Sequence, residues 1–247
     1  MNIALLGFGK MGRMISSLAT AQHKIVSIID PSAPEATHKS VSAQALSGAD
    51  VVIDFSSPSA VLSNVGLVAQ NKKNIVMGTT GWYEKISAVK QIVESNGIGF
   101  LYASNFSIGV QLFMKLVERG GELFNSFPEY DAFVHEYHHN QKADSPSGTA
   151  LSLGKILLQT FTRKKDLLTE TAREKIPPDA LHITSTRGGS VPGTHEVYFD
   201  SEADTIELKH TARTRAGFAS GALRAGQWIF GKRGFFTMED FLKDILK

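Results

Sequence analysis

"NIALLGFGKMGRMISSLATAQHKIVSIID", residues 2–30, decides the fold. Residues 2–6 are a short apolar run, as a buried strand is. Gly7, Phe8, Gly9, Lys10, Met11 and Gly12 then spell G-x-G-x-x-G. Residues 13–22 carry Met14, Ile15 and Leu18 at helical spacing, and residues 23–30 read as a second strand ending on Asp30. Each glycine of the turn has its own physical role. The first permits the tight turn, the second lets backbone approach a pyrophosphate, and the third lets the helix pack closely. The helix N-terminus offers free N–H groups and a positive dipole end to the phosphates. Asp30 stands about 20 residues past the motif, where an acid accepts the ribose hydroxyls of a dinucleotide. A lone glycine turn is weak, and a lone strand-end carboxylate can be merely solvated; the order strand, turn, helix, strand, acid makes the reading specific.

The alternation continues. Residues 49–57, ADVVIDFSS, form an apolar run bounded by turn residues, as expected of a strand covered on both faces of a parallel sheet. Helical stretches at residues 58–70 and 84–95 separate it from KNIVMGTTGW (73–82) and GIGFLYASNFS (97–107). The fold class is therefore α/β, with an N-terminal Rossmann-type doubly wound parallel sheet. Ligands of such sheets bind outside the strand C-terminal ends, so Gly78, Thr79 and Thr80, with Ala103, Ser104, Asn105 and Phe106, are expected on the nicotinamide half of the cofactor. No arginine follows Asp30 directly, and a carboxylate repels a 2′-phosphate, which favours NADH. His38 and Lys39 lie a few residues on and leave NADPH open.

At 247 residues the chain holds one large domain or two modest ones. With 42% hydrophobic and 20% charged residues it has ample material for a core. A formal charge of +2 gives no support to nucleic-acid or membrane-surface partners. The absence of cysteine excludes disulfides, thiolate nucleophiles and cysteine-bound metals, and fits a cytoplasmic protein. Lys10 and Arg13 break the apolar N-terminal stretch, which argues against a signal peptide. No run of 18 apolar residues occurs, so no membrane-spanning helix is expected.

After residue 106 the pattern changes. Residues 107–124 are helical, 130–139 read as a strand, 148–161 as a helix, and 181–189, 194–202 and 204–213 as further strands. These predict a smaller α+β domain with a mixed sheet over residues 107–216. Residues 217–242 read as helical, and residues 217–247 are expected to pack back on the dinucleotide domain of residues 1–106.

His135-Glu136-Tyr137-His138-His139 matches H-E-x-x-H, which on a helix signals a zinc hydrolase. The stretch is β-prone, and on a strand i and i+4 lie about 13 Å apart. Two imidazoles cannot then each sit about 2.0–2.1 Å from one zinc. No metal is expected. The strand period instead puts Glu136 and His138 on one face. SPSGTA, residues 145–150, reads as a helix N-terminus, capped by Ser147 or Thr149, with Gly148 open to a ligand. Lys142 and the histidines beside such an anion-binding end suit proton delivery during a reduction.

GFGKMGR, IDFS, GTTG, ASNFSIGV and above all EYHHNQKADSPSGTA resemble dihydrodipicolinate reductase along nearly the whole chain. The resemblance implies NAD(P)H-dependent reduction of 4-hydroxy-tetrahydrodipicolinate, with loss of water, in diaminopimelate and lysine synthesis. It places proton donor/acceptor work on His138 and proton donation on Lys142. Substrate binding falls on His139, Ser147, Gly148 and Thr149. It implies a small dicarboxylate substrate and a homotetramer formed through the sheet of the second domain. Arg187 reads equally as a carboxylate ligand and as a solvated loop residue. The alternatives are a related dehydrogenase of another small amino-acid-derived acid and a non-catalytic NAD-binding sensor.

Overall fold

The computed structural model describes residues 1–19 and 22–246, so the end of the helix expected over residues 13–22 lies partly outside the described residues. The chain divides into two units, residues 1–107 with the segment from Arg215 onward, and Ile108–Thr214.

The first unit opens with β1 (Asn2–Leu6), α1 (Lys10–Leu18), β2 (Lys24–Ile29), β3 (Val51–Asp54), α2 (Val61–Gln70), β4 (Asn74–Met77), α3 (Ile86–Asn96) and β5 (Gly99–Tyr102). The second unit holds α4 (Ile108–Phe124), β6 (Asp131–His138), α5 (Gly148–Thr160), β7 (Asp166–Leu168), β8 (Ala180–Arg187), β9 (Thr194–Asp200) and β10 (Thr205–Thr211). The chain then returns to the first unit with α6 (Ala216–Ile229), β11 (Gly234–Thr237) and α7 (Met238–Ile245).

The first sheet has the order β11-β5-β4-β3-β1-β2, and every neighbouring pair in it is parallel. Every residue of β3 is buried. That explains why these strands read as continuous apolar runs rather than alternating ones. Trp82 lies fully buried in this core against Phe100 and Tyr102, and its indole N–H donates to the Thr79 carbonyl at 2.8 Å. The apolar core therefore fixes the start of the turn after β4.

One sequence expectation fails here. Residues 217–242 are not helical throughout, because Gly234–Thr237 forms the edge strand β11, parallel to β5. Four residues are too few to show a period. What holds them extended is tertiary: Phe235 stacks on Phe100 with centroids 5.0 Å apart, in register across the pair.

The second sheet is mixed, with the order β10-β9-β6-β8-β7. β6 runs parallel to β8 and antiparallel to β9, which pairs antiparallel with β10. β6 alternates strictly. Ala132, Val134, Glu136 and His138 are buried, while Phe133, His135 and Tyr137 lie on the other face. The inward apolar residues pack with Val197, Phe199, Ile183, Leu153 and Phe161. Toward its C-terminal end the same inward face becomes polar, and that change of chemistry along one strand creates the site.

Candidate active site

The nucleotide end of the first unit is built from the glycine turn. Gly7 adopts φ +84°, and a Cβ there would lie 2.3 Å from the Phe55 carbonyl oxygen, so only glycine fits. At Gly12 a Cβ would lie 2.3 Å from the Gly7 oxygen, which is the close helix-to-turn packing expected of the third glycine. A Cβ at Gly9 would meet nothing within 4 Å, so its backbone is open to a ligand. Gly9 is also the N-cap of α1, with no side chain bonded to the helix end. Free N–H groups, a dipole end and open backbone are what a pyrophosphate needs, and the residues present fit a dinucleotide.

Asp30 does more than end a strand. Oδ2 accepts from the Phe8 N–H at 2.7 Å, and Oδ1 accepts from the N–H groups of Ser32 and Ala33 at 2.8 Å each. The Phe8 bond leads in holding its carboxyl below the ordinary value, against burial and with help from Ser32, Ala33 and Lys39. Asp30 therefore carries a fixed negative charge at the turn. Lys39 is committed to the Ala33 carbonyl, and Arg13, above the Phe8 ring, is paired with Glu35.

At the neighbouring strand ends, Asp54 is buried and accepts from Ser56, Thr79 and Asn64 side chains. Burial raises its carboxyl, against those hydrogen bonds. Thr79 is thus a structural partner through its hydroxyl, whereas Thr80 is exposed. A Cβ at Gly78 would lie 2.2 Å from the Phe55 ring. Ala103 bonds through its N–H to Met77, Ser104 is exposed, Asn105 accepts from Ser107 N–H, and Phe106 is buried against Phe55. Lys10 is exposed and Met11 half-buried at the start of α1.

In the second unit, β6 carries His138 to the end of the strand and stops there, so H-E-x-x-H lies on a strand and not a helix. His135 stays on the opposite face, bonded to Thr184, and His139 lies past the strand end. The backbone from 138 to 140 is tied to the turn after β8: Gly188 N–H donates to His138 O at 2.9 Å and His139 N–H to Val191 O at 2.8 Å. Lys142 N–H closes a turn onto His139 O, and its ammonium pairs with Asp144 at 2.7 Å. That pairing leads in holding the Asp144 carboxyl below its ordinary value.

Ser147, not Thr149, caps α5: its Oγ accepts from Ala150 N–H at 3.2 Å. Gly148 and Thr149 are the first two helical residues, whose N–H groups the helical ladder does not use. Gly148 is exposed, and a Cβ there would meet nothing within 4 Å. The described geometry therefore brings Lys142, His139 and an open helix N-terminus into one connected loop, with His138 at its root.

Beneath that loop sits Glu136, fully buried. Its Oε1 accepts from Ser147 N–H at 2.8 Å, Ser185 Oγ at 2.9 Å and Arg187 Nη2 at 2.7 Å. Its Oε2 accepts from Ser147 Oγ and lies 3.3 Å from His195 Nε2 and 3.4 Å from His138 Nδ1. Burial alone would raise this carboxyl. Hydrogen bonds from His195, Ser147 and Arg187 outweigh it and hold the group well below the usual carboxylate range. Burial pushes His138 down to about 4, with His195, Lys142 and Arg187 acting in the same direction against the Glu136 charge. At neutral pH His138 is then a neutral imidazole beside a fixed carboxylate.

Three of these residues were not assigned from the sequence. Arg187, open between two readings, proves to be the counter-ion of Glu136 and also donates to Asp144 O at 2.6 Å. Ser185 and His195 gave no signal, because they reach Glu136 only through the registers Glu136↔Ser185 and Glu136↔His195. Glu136, His138 and His195 have the donor types of a metal site, with donor atoms within 4.8 Å of one another. The carboxylate, however, is already shared by a guanidinium and hydroxyl and amide donors, and a second cation beside Arg187 would be repelled.

Family models described as Dihydrodipicolinate reductase, N-terminus, and Dihydrodipicolinate reductase, C-terminus, match residues 1–106 and 109–242. A 4-hydroxy-tetrahydrodipicolinate reductase of Christiangramia forsetii is 38% identical over 248 residues, covering 100% of both chains. One of Archaeoglobus fulgidus is 40% identical over 203 residues, 79% of this chain and 76% of that one. Among solved structures, the dipicolinate-bound dihydrodipicolinate reductase of Paenisporosarcina sp. TG-14 superposes with a TM-score of 0.79 at 24% identity, covering 97% of this chain and 98% of that one. The chain belongs to the dihydrodipicolinate reductase family.

Proposed function

We infer that this member of the dihydrodipicolinate reductase family is an NAD(P)H-dependent oxidoreductase that reduces 4-hydroxy-tetrahydrodipicolinate to tetrahydrodipicolinate, in the diaminopimelate route to lysine. One observation carries the chemistry: a neutral, buried His138 stands at the root of the loop that leads to the open N-terminus of α5, and the Lys142 ammonium lies on that loop. NAD(P)H supplies the hydride when bound. The protein's own groups then have to hold a dicarboxylate and manage the proton that accompanies hydride uptake and water loss.

Lys142 delivers that proton, and the neutral His138 accepts and returns one. The Gly148 and Thr149 N–H groups, with His139, hold one substrate carboxylate, and Ser147 shapes that cradle as the cap of α5. Dipicolinate, the ligand named for the Paenisporosarcina relative, is itself a small dicarboxylate of this kind. In the first unit Gly7, Phe8, Gly9, Lys10, Met11 and Gly12 hold the pyrophosphate and Asp30 the adenosine ribose. Gly78, Thr79, Thr80, Ala103, Ser104, Asn105 and Phe106 hold the nicotinamide half. The fixed charge of Asp30, with Arg13 and Lys39 both committed elsewhere, favours NADH over NADPH. No metal takes part.

The outer face of the second sheet supports a homotetramer of this cytoplasmic enzyme. There Phe133 stacks on Tyr198 at 4.7 Å while 37% exposed, and Glu196 is buried with Lys209 and Tyr198 as partners.

A coupled assay tests this reading. Aspartate semialdehyde and pyruvate are condensed by a synthase, and NADH or NADPH oxidation is followed on adding this protein. Oxidation with NADH faster than with NADPH is expected, unchanged by a chelator. Failure to oxidise either cofactor would overturn the reading.

A further inference from the structure

We propose that Glu136 is a positioning residue that fixes the tautomer of His138, with Nδ1 protonated and Nε2 free as the base, that His195 is a donor that helps hold that carboxylate, and that Gly193 keeps Nε2 open. This rests on the assignment of His138 as the acid/base group.

The protons of one buried cluster can be placed one by one. Ser147 has a single hydroxyl proton, and it goes to Glu136 Oε2. Its Oγ then accepts from Ala150 N–H. The remaining contact of that oxygen, His195 Nε2 at 3.1 Å, must bring its own proton. The other neighbour of His195 Nε2 is Glu136 Oε2 at 3.3 Å, an ionised carboxylate that can only accept. His195 is therefore the Nε2–H tautomer.

That leaves His138 Nδ1, buried 3.4 Å from the same Oε2 and with no other acceptor or donor bonded to it among the described residues. A carboxylate selects the protonated nitrogen, so Nδ1 carries the hydrogen and Nε2 the lone pair. Arg187 on Oε1 keeps the carboxylate ionised and fixed in place.

The other nitrogen is kept bare from the opposite side. Gly193, at φ +148°, passes directly over the imidazole, and a Cβ there would lie 2.9 Å from Nε2. Any other residue would crowd the ring edge at Nε2 and Cδ2. The Gly193 carbonyl accepts from Ala212 N–H at 2.8 Å, which holds this backbone against the end of β10.

The tautomers can be read directly in protein labelled with ¹⁵N-histidine and free of ligands. Long-range ¹H–¹⁵N spectra at neutral pH should show His138 as Nδ1–H and His195 as Nε2–H, the signals being assigned by their loss in His138→Gln and His195→Gln. Glu136→Gln, whose amide can donate to Nδ1 as well as accept from it, should give His138 a mixed tautomer pattern and lower kcat by about 10- to 100-fold, with KM within about two-fold. His195→Gln, which keeps an N–H donor, should retain most of kcat. Gly193→Ala should lower kcat and leave the His138 tautomer unchanged. An Nε2–H or doubly protonated His138 in the parent protein, or an unaltered His138 signature in Glu136→Gln, would overturn the proposal. Because the spectra need no substrate, a failed coupled assay with the expected tautomers would count against the reductase reading and not against this one.

Discussion

The glycine turn of the first unit and the Glu136 cluster of the second solve the same problem in opposite ways. Each prepares hydrogen-bonding groups for a ligand, the turn by leaving them open and the cluster by orienting the imidazole of His138 beside a saturated carboxylate. The turn does so with contiguous backbone: Gly7 and Gly12 make room, Gly9 stays open, and α1 presents its end. The cluster does so with side chains from β6, β8, β9 and the cap of α5, meeting on one buried carboxylate. A backbone site fails by steric intrusion, whereas a side-chain site fails by a missing proton or charge. The two should therefore respond to mutation with different signatures.

The largest effect belongs to the side-chain site. Replacing His138 or Lys142 by alanine is expected to cut kcat by roughly 100- to 10,000-fold, with cofactor KM unchanged; steady-state kinetics would refute these roles if turnover survived in both. The turn should instead split its glycines. Gly7→Ala drives a Cβ into the Phe55 carbonyl at positive φ and is expected to lower stability by about 1–3 kcal/mol. Gly9→Ala meets no protein atom and should leave the melting temperature alone while weakening cofactor binding. Equal losses of stability in both variants would contradict this division between the two glycines.

The smallest effect is in the pH response. A histidine whose folded pKa is lowered to about 4 lets the unfolded chain bind the extra proton first. Its stabilising contribution is thus full above the unfolded value near 6.5 and falls as pH drops toward 4. Glu136, also lowered, adds a loss at still lower pH. Asp30 in the turn works in that same acid direction but involves no histidine. Titration of the His138 Cε1–H should give a midpoint near 4; a midpoint near 6.5 would mean that the imidazole is not buried as described.

The interior of the parallel sheet was legible because β1, β3, β4 and β5 are short, mostly buried apolar runs whose following turns are marked by glycine or small polar residues. β11 was not, since four residues between two helices take their conformation from Phe100 and not from their own pattern. In the second unit the alternation of β6 correctly put Glu136 and His138 on one face. It could not say that Glu136 is the centre of the cluster. Arg187, Ser185 and His195 are 49 to 59 positions away along the chain, and only strand pairing makes them neighbours.

The sequence by itself determined the doubly wound sheet, the dinucleotide turn and the His138–Lys142–Gly148 loop, because each is encoded in residues close together along the chain. Only the tertiary structure decided which carboxylate governs His138, which nitrogen of that imidazole is bare, and why residue 193 is glycine. Those properties depend on register between strands, and register is set by the packing of a whole buried face and not by any one segment of the chain.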